Sequence, residues 1–379
     1  MIKKILPGST IGIIGGGQLG MMTVQAANKL GYKTVIWDPE KNAPAFKFAD
    51  KIICKSFSDL SAAVEIAELS DVVTYEFEHI DYENIKVIEK TKSVFPPSEL
   101  LYISQHRERE KESLRKNGFP IVPFKSINNV NEIKNTILEI GLPVVVKTTT
   151  HGYDGKGQWI ISNENEIENL IHNFRNSEIE AVIEKFIELE KEFSVIVASN
   201  GNGIFENFPV IENEHRLNIL HKSIVPSNLK NEIIETAITI SKNIAKSYNL
   251  IGILCVEMFL DKSGKIFVNE LAPRPHNSGH FSIDACNISQ FEMLVRTICG
   301  LEIMEPKIVS QVAMVNLLGK HLNKIDFTKL NEIEGTFLHL YGKSENRELR
   351  KMGHINILAK SENELLNKIL TVEKLIGEN

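Results

Sequence analysis

Cysteine is scarce in this chain: Cys54, Cys255, Cys286 and Cys299 are its only four, and no two stand as C-x-x-C. That argues against a disulfide framework and leaves zinc chemistry without support. Cys54, Cys255 and Cys299 sit in apolar surroundings and read as buried small hydrophobes in a reduced, cytoplasmic compartment. No window approaches the ~18 uninterrupted apolar residues of a membrane span, and Ile11–Gly20 is too broken by glycines for a signal-peptide core. Long basic runs are missing and the net charge is −6, which argues against a nucleic-acid surface. Also absent are a G-x-S-x-G elbow, an H-E-x-x-H helix, internal repeats and low-complexity segments. What remains is a globular composition, 42% apolar and 24% charged over 379 residues. A single core usually divides beyond ~250–300 residues, so two or three domains are expected.

Thr10–Ile14 is an apolar run entering Gly15-Gly-Gly-Gln-Leu-Gly20, followed by a helical segment Met21–Leu30, a stop at Gly31 and a second strand Lys33–Trp37. This is a β-α-β unit: Gly15, Gly17 and Gly20 fit G-x-G-x-x-G, and Asp38 stands 18 positions after Gly20. Such a loop offers backbone N–H groups at a helix N-terminus to any phosphate, so an NAD-dependent oxidoreductase is one reading. With strand signals at Lys51–Cys54 and Asp71–Tyr75, the first ~100 residues read as a small doubly wound α/β domain ending at Phe95-Pro-Pro97. Helical segments follow at Ser98–Asn117 and Asn129–Ile140, the first containing the mixed-sign run His106–Glu112, which reads as a helix with salt-paired neighbours. Later strands are expected at Pro143–Lys147, Trp159–Ile161, Ala181–Glu188 and Glu192–Ala198, and helices at Glu164–Phe174 and Leu229–Tyr248. From Val312 short strands and loops alternate up to a helix near Ser361–Ile376.

Four clusters carry candidate chemistry. His151–Gln158 is rich in glycine but is no P-loop, because Gly157 follows Lys156. Its glycines permit close approach to a triphosphate, with Lys156 as a point charge, although a plain hairpin tip fits the same residues. Lys147, ending a valine-rich strand, needs an anionic partner that a phosphate supplies. Glu184–Ile187 with Glu192 fits either an edge strand or a platform for adenine and ribose, and Glu212, Glu214, His215 and Arg216 fit a solvated loop equally well. Gly252–Ala272 reads as a hairpin about Asp261-Lys-Ser-Gly264. With Leu260 opposite Lys265, Glu257 faces Val268 and Glu270 is its diagonal neighbour, roughly 7–8 Å away. Two such carboxylates can hold Mg²⁺, or can simply be solvated. The following Ala-Pro-Arg-Pro-His-Asn-Ser-Gly-His280 is too polar for an ordinary loop. Finally, Lys343, Arg347, Arg350, Lys351 and His354 gather cations, for solubility or for an anionic substrate.

Taken in order, Gly15–Gly20, Thr74–Glu78, Lys147 with Gly152–Gln158, Asn269–His280 and Arg350–His354 resemble the ATP-grasp superfamily. Within it they resemble the 5-(carboxyamino)imidazole ribonucleotide synthase family, over essentially the whole chain. The resemblance implies an α/β and α+β architecture. Its parts are an N-terminal doubly wound α/β domain (1–100), linker helices and a small lid (101–178), an ATP-grasp C-terminal lobe (179–305) and a C-terminal extension (306–379). It implies ATP held at its phosphates by Arg107, Lys147, Gly152, Asp154, Gly155, Lys156 and Gly157, at adenine by Glu184, Lys185 and Ile187, and at ribose by Glu192. Mg²⁺ would sit on Glu257 and Glu270; Ala272 stands where many relatives carry Asn, so water or another side chain must complete the coordination.

The implied reaction is ATP-dependent carboxylation of aminoimidazole ribonucleotide with bicarbonate through carboxyphosphate. Arg274 and His276 would hold bicarbonate, and Lys147 would neutralise charge. Gln18, Glu76, Tyr153 and Asp154 would meet the nucleotide's ring and ribose, and Lys343 and Arg350 its phosphate. A cytoplasmic homodimer without nucleic-acid or membrane partners completes the implication. The rivals are a formate-using ligase that formylates glycinamide ribonucleotide, and the oxidoreductase.

Overall fold

The computed structural model describes residues 3–150, 157–174 and 179–378. Gly152, Tyr153, Asp154, Gly155 and Lys156, expected at ATP and at the ribonucleotide, lie outside the described residues.

The first domain follows from its apolar runs. Ile11, Ile13, Val35, Ile36, Val72 and Val73 are wholly buried, as a parallel sheet covered on both faces requires. Its four strands lie in the order Lys51–Ile53, Lys33–Trp37, Thr10–Ile14, Val72–Tyr75, all parallel. Asp59 caps the helix Leu60–Leu69 by accepting the Ser61 N–H at 2.8 Å. Because Thr10–Ile14 lies between Lys33–Trp37 and Val72–Tyr75, the glycine loop emerges beside Asp38 and Glu76.

The helix expected over Ser98–Asn117 breaks into Ser98–Ser104 and Arg107–Lys116, with the His106 ring accepting the Arg109 N–H at 3.5 Å. Its charges divide between surface pairs and buried groups. Glu112 does pair with Arg115 at the surface. Glu110 and Lys111, by contrast, are buried, and Glu110 accepts the Leu271 N–H at 2.7 Å.

A small antiparallel sheet follows, in the order Phe124–Ile127, Ala181–Lys185, Val144–Thr148, Gln158–Ile161. Ala181–Lys185 is paired on both sides, so the small domain runs to Lys185 and not to 178. The third sheet is the largest. Leu189–Asn200 pairs with Ile251–Asp261 along most of its length, and Ile219–Val225 joins the C-terminal strands Gln311–Leu318, Lys351–Ala359 and Thr336–Leu340 to the same sheet. The tail is therefore continuous with the sheet that carries the hairpin. Gly353 is needed there, since a Cβ would come within 2.5 Å of the His339 carbonyl.

Cys255 and Cys299 are buried as expected, but Cys54 is exposed, its thiol 3.7 Å from the Pro39 carbonyl; it lies just past the edge strand Lys51–Ile53, where one side is open. No helix among the described residues is long and apolar enough to cross a membrane.

Candidate active site

A cavity of about 570 Å³ opens where the three sheets meet. Gln18 and Glu76 line it from the first, Lys147 and Glu184 from the second, and Glu257, Glu270, Arg274 and Lys351 from the third and the loop that follows it.

The carboxylate pair is closer than the sequence implies. Leu260 pairs with Ile266 and Met258 with Val268, one place from the expected register, and a bulge then sets Glu257 directly opposite Glu270. The extra residue at Asn269 accounts for the shift. Directly opposed residues have Cβ atoms roughly 4.5–5.5 Å apart, nearer than a diagonal pair. Burial pushes the Glu270 carboxyl up, Arg107 pulls against it, and the facing Glu257 pushes it up further. Burial would also raise Glu257, but His276, His215 and Arg274 hold it down to about 2, with His276 Nε2 at 2.9 Å. Two carboxylates forced together on a cavity wall suit a hard divalent cation, which would relieve the repulsion on Glu270. Ala272 offers no ligand; Asn269, unpaired at the bulge, lines the cavity and accepts from Lys147 at 3.4 Å. Among the described residues no cluster of three or more His, Cys, Asp or Glu forms that could hold a metal.

Lys147 already has an anionic partner. Its Nζ lies 3.1 Å from Glu184, whose other oxygen is 3.0 Å from Lys111. Glu184 and Lys111 are only 3% and 2% exposed, so two ammonium groups share one carboxylate away from water. Burial would raise Glu184, yet Lys111 and Lys147 hold it down to about 2, while burial lowers Lys147 itself. Within this trio one positive charge is left over, near Arg107 on the cavity wall, where the Glu270 carboxyl also feels both Lys147 and Arg107. The Glu184 side chain thus pairs with both lysines.

Of the rest of that segment, the Lys185 ammonium donates to the Gly141 carbonyl at 2.7 Å. The backbone N–H groups of Lys185 and Phe186 donate to the Pro123 and Pro143 carbonyls at 2.9 and 3.1 Å. Ile187, on the cavity wall, has an N–H with no acceptor among the described residues. Glu192 pairs with His215, and both line the cavity. Glu212–Arg216 is strand and not loop: His215 faces the cavity, whereas Glu214 and Arg216, alternating with it, join an ion network with Glu373 and Glu378.

Arg274 is held from the first domain by Glu78, 2.8 Å away. His276 is gripped on several sides: Nε2 by Glu257, Nδ1 by Ser278 Oγ at 2.8 Å, and its backbone N–H by Gln290 at 2.9 Å.

The glycine fingerprint is filled from within. Gly15 N–H donates to the Trp37 carbonyl at 2.8 Å, Gly16 N–H to Asp38 at 2.7 Å, and the N–H groups of Gly17 and Gly20 to the two oxygens of Glu76. Burial pushes Glu76 up to about 7 against the pull of those N–H groups. A pyrophosphate would have to displace two protein carboxylates, so the oxidoreductase reading loses its site. Millimolar NADH is expected to leave the melting temperature unchanged, whereas MgATP raises it; a shift with NADH that matches the one with MgATP would restore the dinucleotide reading.

Lys343 Nζ donates to the Lys351 carbonyl at 2.8 Å and lies 5.5 Å from the Tyr341 ring centroid, while Arg350 Nη1 donates to the Glu345 carbonyl at 3.2 Å. Neither is on the cavity wall, though Lys343 is near enough to Glu76 there to pull that carboxyl down; Lys351 does line it. The sequence assigns no role to Lys111 or Glu78, and Lys351 figures in it only within the C-terminal cation cluster. The available signal for Lys111 is its four-residue offset from Arg107, which puts both on one helix face.

The chain matches three family models: a ribonucleotide synthetase preATP-grasp domain over residues 8–105, an ATP-grasp domain over 112–291, and a phosphoribosylaminoimidazole carboxylase C-terminal domain over 312–368. It is 41% identical over 372 residues to the N5-carboxyaminoimidazole ribonucleotide synthase of Bacillus subtilis (strain 168), covering 97% of each chain. With that of Staphylococcus aureus (strain MRSA252) it shares 39% identity over 368 residues, 96% of each. Among solved structures it is similar to an ADP complex of an N5-carboxyaminoimidazole ribonucleotide synthetase, with TM-score 0.94, 44% identity and 98% of both chains covered. The Aspergillus clavatus N5-carboxyaminoimidazole synthase, in complex with ADP and 5-aminoimidazole ribonucleotide, aligns at TM-score 0.89 and 26% identity, over 97% of this chain and 98% of that one.

Proposed function

The chain belongs to the N5-carboxyaminoimidazole ribonucleotide synthase family of ATP-grasp ligases, and on that premise we propose how its own residues divide the work. It is an ATP-dependent carbon–nitrogen ligase that carboxylates 5-aminoimidazole ribonucleotide with bicarbonate, yielding N5-carboxyaminoimidazole ribonucleotide, ADP and phosphate in purine biosynthesis.

Bicarbonate resists attack by an aromatic amine because its carbon lacks a good leaving group. Phosphorylation provides one. A bicarbonate oxygen attacks the γ-phosphorus, the bond to the ADP oxygen breaks, and ADP departs. The carbon–oxygen bond of carboxyphosphate then breaks, phosphate leaves with the electron pair, and the exocyclic nitrogen bonds to carbon and releases a proton. Positioning and charge neutralisation carry such chemistry, with no protein nucleophile.

The observation that carries the residue assignment is the convergence of the opposed Glu257–Glu270 pair, Lys147, Arg107 and Arg274 on one cavity. Arg107, Lys147 and the glycine loop through Gly157 neutralise the triphosphate; the Ile187 N–H meets adenine and Glu192, with His215, the ribose. Glu257 and Glu270 hold Mg²⁺, which when bound neutralises charge on the terminal phosphates. Arg274, kept in place by Glu78, offers bicarbonate a bidentate guanidinium, and His276 stands beside it. Gln18 and Glu76 meet the ribonucleotide's ring and ribose. Lys343 and Arg350 take its phosphate, with Lys351 as a further cation. Arg350→Ala is expected to raise KM for the ribonucleotide about 10- to 100-fold and to leave KM for ATP nearly unchanged; equal effects on both would remove Arg350 from the phosphate site.

A cytoplasmic homodimer completes the proposal. The free cysteines support a reducing compartment, and sedimentation, at the mass of one chain or two, decides the assembly. The activity itself is tested by phosphate release from MgATP with bicarbonate, with and without the ribonucleotide, beside a formate control. Release that requires bicarbonate and rises with the ribonucleotide is expected; turnover with formate instead would keep the fold and change the substrate.

A further inference from the structure

A file of buried polar side chains runs from the C-terminal half of the large sheet to His276. Ser223 Oγ donates to Asn213 Oδ1 at 2.8 Å, and Asn213 Nδ2 donates to Ser194 Oγ at 3.0 Å. Ser194 Oγ and Ser278 Oγ share a hydrogen bond at 2.9 Å, and Ser278 Oγ lies 2.8 Å from His276 Nδ1. The three serines are wholly buried, Asn213 is 8% exposed, and none of the four lines the cavity. They come from different elements: Ser223 and Asn213 face each other on neighbouring strands, Ser194 lies on Leu189–Asn200, and Ser278 on the turn Asn277–Phe281.

Packing alone would not call for these residues. A hydroxyl or amide inside a sheet costs free energy unless it is bonded, and valine or alanine would fill the same places without that demand. Here each link fixes the next: Ser223 occupies Asn213 Oδ1, which turns the amide nitrogen to Ser194. The histidine's backbone is held separately by Gln290, which accepts the His276 N–H at 2.9 Å and donates to its carbonyl at 2.7 Å. With the backbone held by Gln290, and Nδ1 held by Ser278 Oγ and also by the Ser278 N–H at 3.3 Å, the ring has one orientation, with Nε2 towards Glu257 on the cavity wall.

We propose that Ser278, Ser194 and Asn213 are positioning residues for the carboxylation, a hydrogen-bonded strut that sets the plane of the His276 ring at the bicarbonate site. The inference rests on the placement of His276 beside bicarbonate. Reacting groups must be held within about 0.5 Å and 10–20° of their productive geometry, which a ring free to turn about its last torsion does not achieve.

Ser194→Ala tests the strut in the full-length enzyme, since it removes a hydroxyl that touches neither the cavity nor His276. A fall in kcat of about 10- to 100-fold, the size typical when a supporting hydrogen bond behind a site residue is lost, is expected, with KM for ATP unchanged. The ¹⁵N resonance of His276 Nδ1 should move as well. Ser194→Thr keeps the hydroxyl and should recover both readouts. A folded Ser194→Ala with normal kcat and an unmoved resonance overturns the strut. His276→Gln is the control: if it too leaves kcat unaltered, the placement of His276 fails and the strut with it, whereas a loss confined to His276→Gln refutes the strut alone. Should Ser194→Ala not fold, Ser278→Ala carries the same expectation and the same refutation.

Discussion

Replacing Glu270 with glutamine should lower kcat by about 10³-fold while leaving the fold at least as stable as before. The two halves of that result come from one fact. Glu270 faces Glu257 across a bulge, and burial together with that neighbour pushes its carboxyl up despite the pull of Arg107. A carboxyl whose folded pKa lies above its unfolded value contributes stability that is complete below the unfolded value and is lost as pH rises through the folded one. At neutral pH the ionised Glu270 therefore strains the apo fold, and glutamine removes the strain. The stability advantage of the variant should be absent near pH ~4, where a free glutamate is largely protonated, and should grow towards neutrality. Catalysis changes in the opposite direction, because the charge that is awkward in the apo enzyme is the one that would hold a cation against the triphosphate. Calorimetry of the metal-free chain and phosphate release with excess Mg²⁺ read the two halves separately. A variant that loses activity and stability together would make Glu270 a structural residue and leave the cation without its second ligand.

Glu184→Gln should have the largest effect on stability, about 3–5 kcal/mol, because it leaves Lys111 and Lys147 buried with no carboxylate between them. The pH dependence has the opposite sign to that of Glu270. Glu184 is held down to about 2, so its stabilisation is fully present above the unfolded value of ~4.5 and is lost as pH falls through 2. The wild-type chain should thus weaken steeply in acid, and Glu184→Gln, already without the carboxylate, should weaken less over the same range. Adding Lys111→Met to Glu184→Gln should recover part of the loss by removing one of the stranded ammonium groups. Denaturant unfolding of the three chains decides it. A single variant as stable as wild type would show that the lysines are satisfied without Glu184, and the charge reserve argued for Lys147 would go with it.

The sequence shows its elements more plainly than their mutual arrangement. Thr10–Ile14 and Lys33–Trp37 could be read to the residue because buried parallel strands are unbroken apolar runs between glycines and polar stops. The hairpin could be recognised from Asp261-Lys-Ser-Gly264, but its register could not: the bulge at Asn269 lies on Ile266–Ala272 at the edge of the large sheet, and nothing in Val268-Asn-Glu270 announces it. The same limit hid the filling of the glycine loop. Gly17 and Gly20 advertise an anion hole, but only the parallel pairing of Thr10–Ile14 with Val72–Tyr75 brings Glu76 into it. The run His106–Glu112 is legible only in part for a related reason. Alternating charge fits a helix with salt-paired neighbours, as Glu112 and Arg115 are, but the partners of Glu110 and Lys111 are Leu271 and Glu184, far along the chain. Composition and local pattern cannot report such contacts, whereas a motif as specific as Pro273–His280 can still point to the right cavity.

The most direct test of the account follows a single oxygen. With ¹⁸O-labelled bicarbonate, MgATP and the ribonucleotide, the oxygen that attacks the γ-phosphorus stays on phosphorus when the carbon–oxygen bond breaks. Mass spectrometry should find label in the released phosphate, in step with carboxylated product. Phosphate free of label, formed at the same rate as product, would mean that bicarbonate is never phosphorylated, and would contradict the reaction assigned to this cavity.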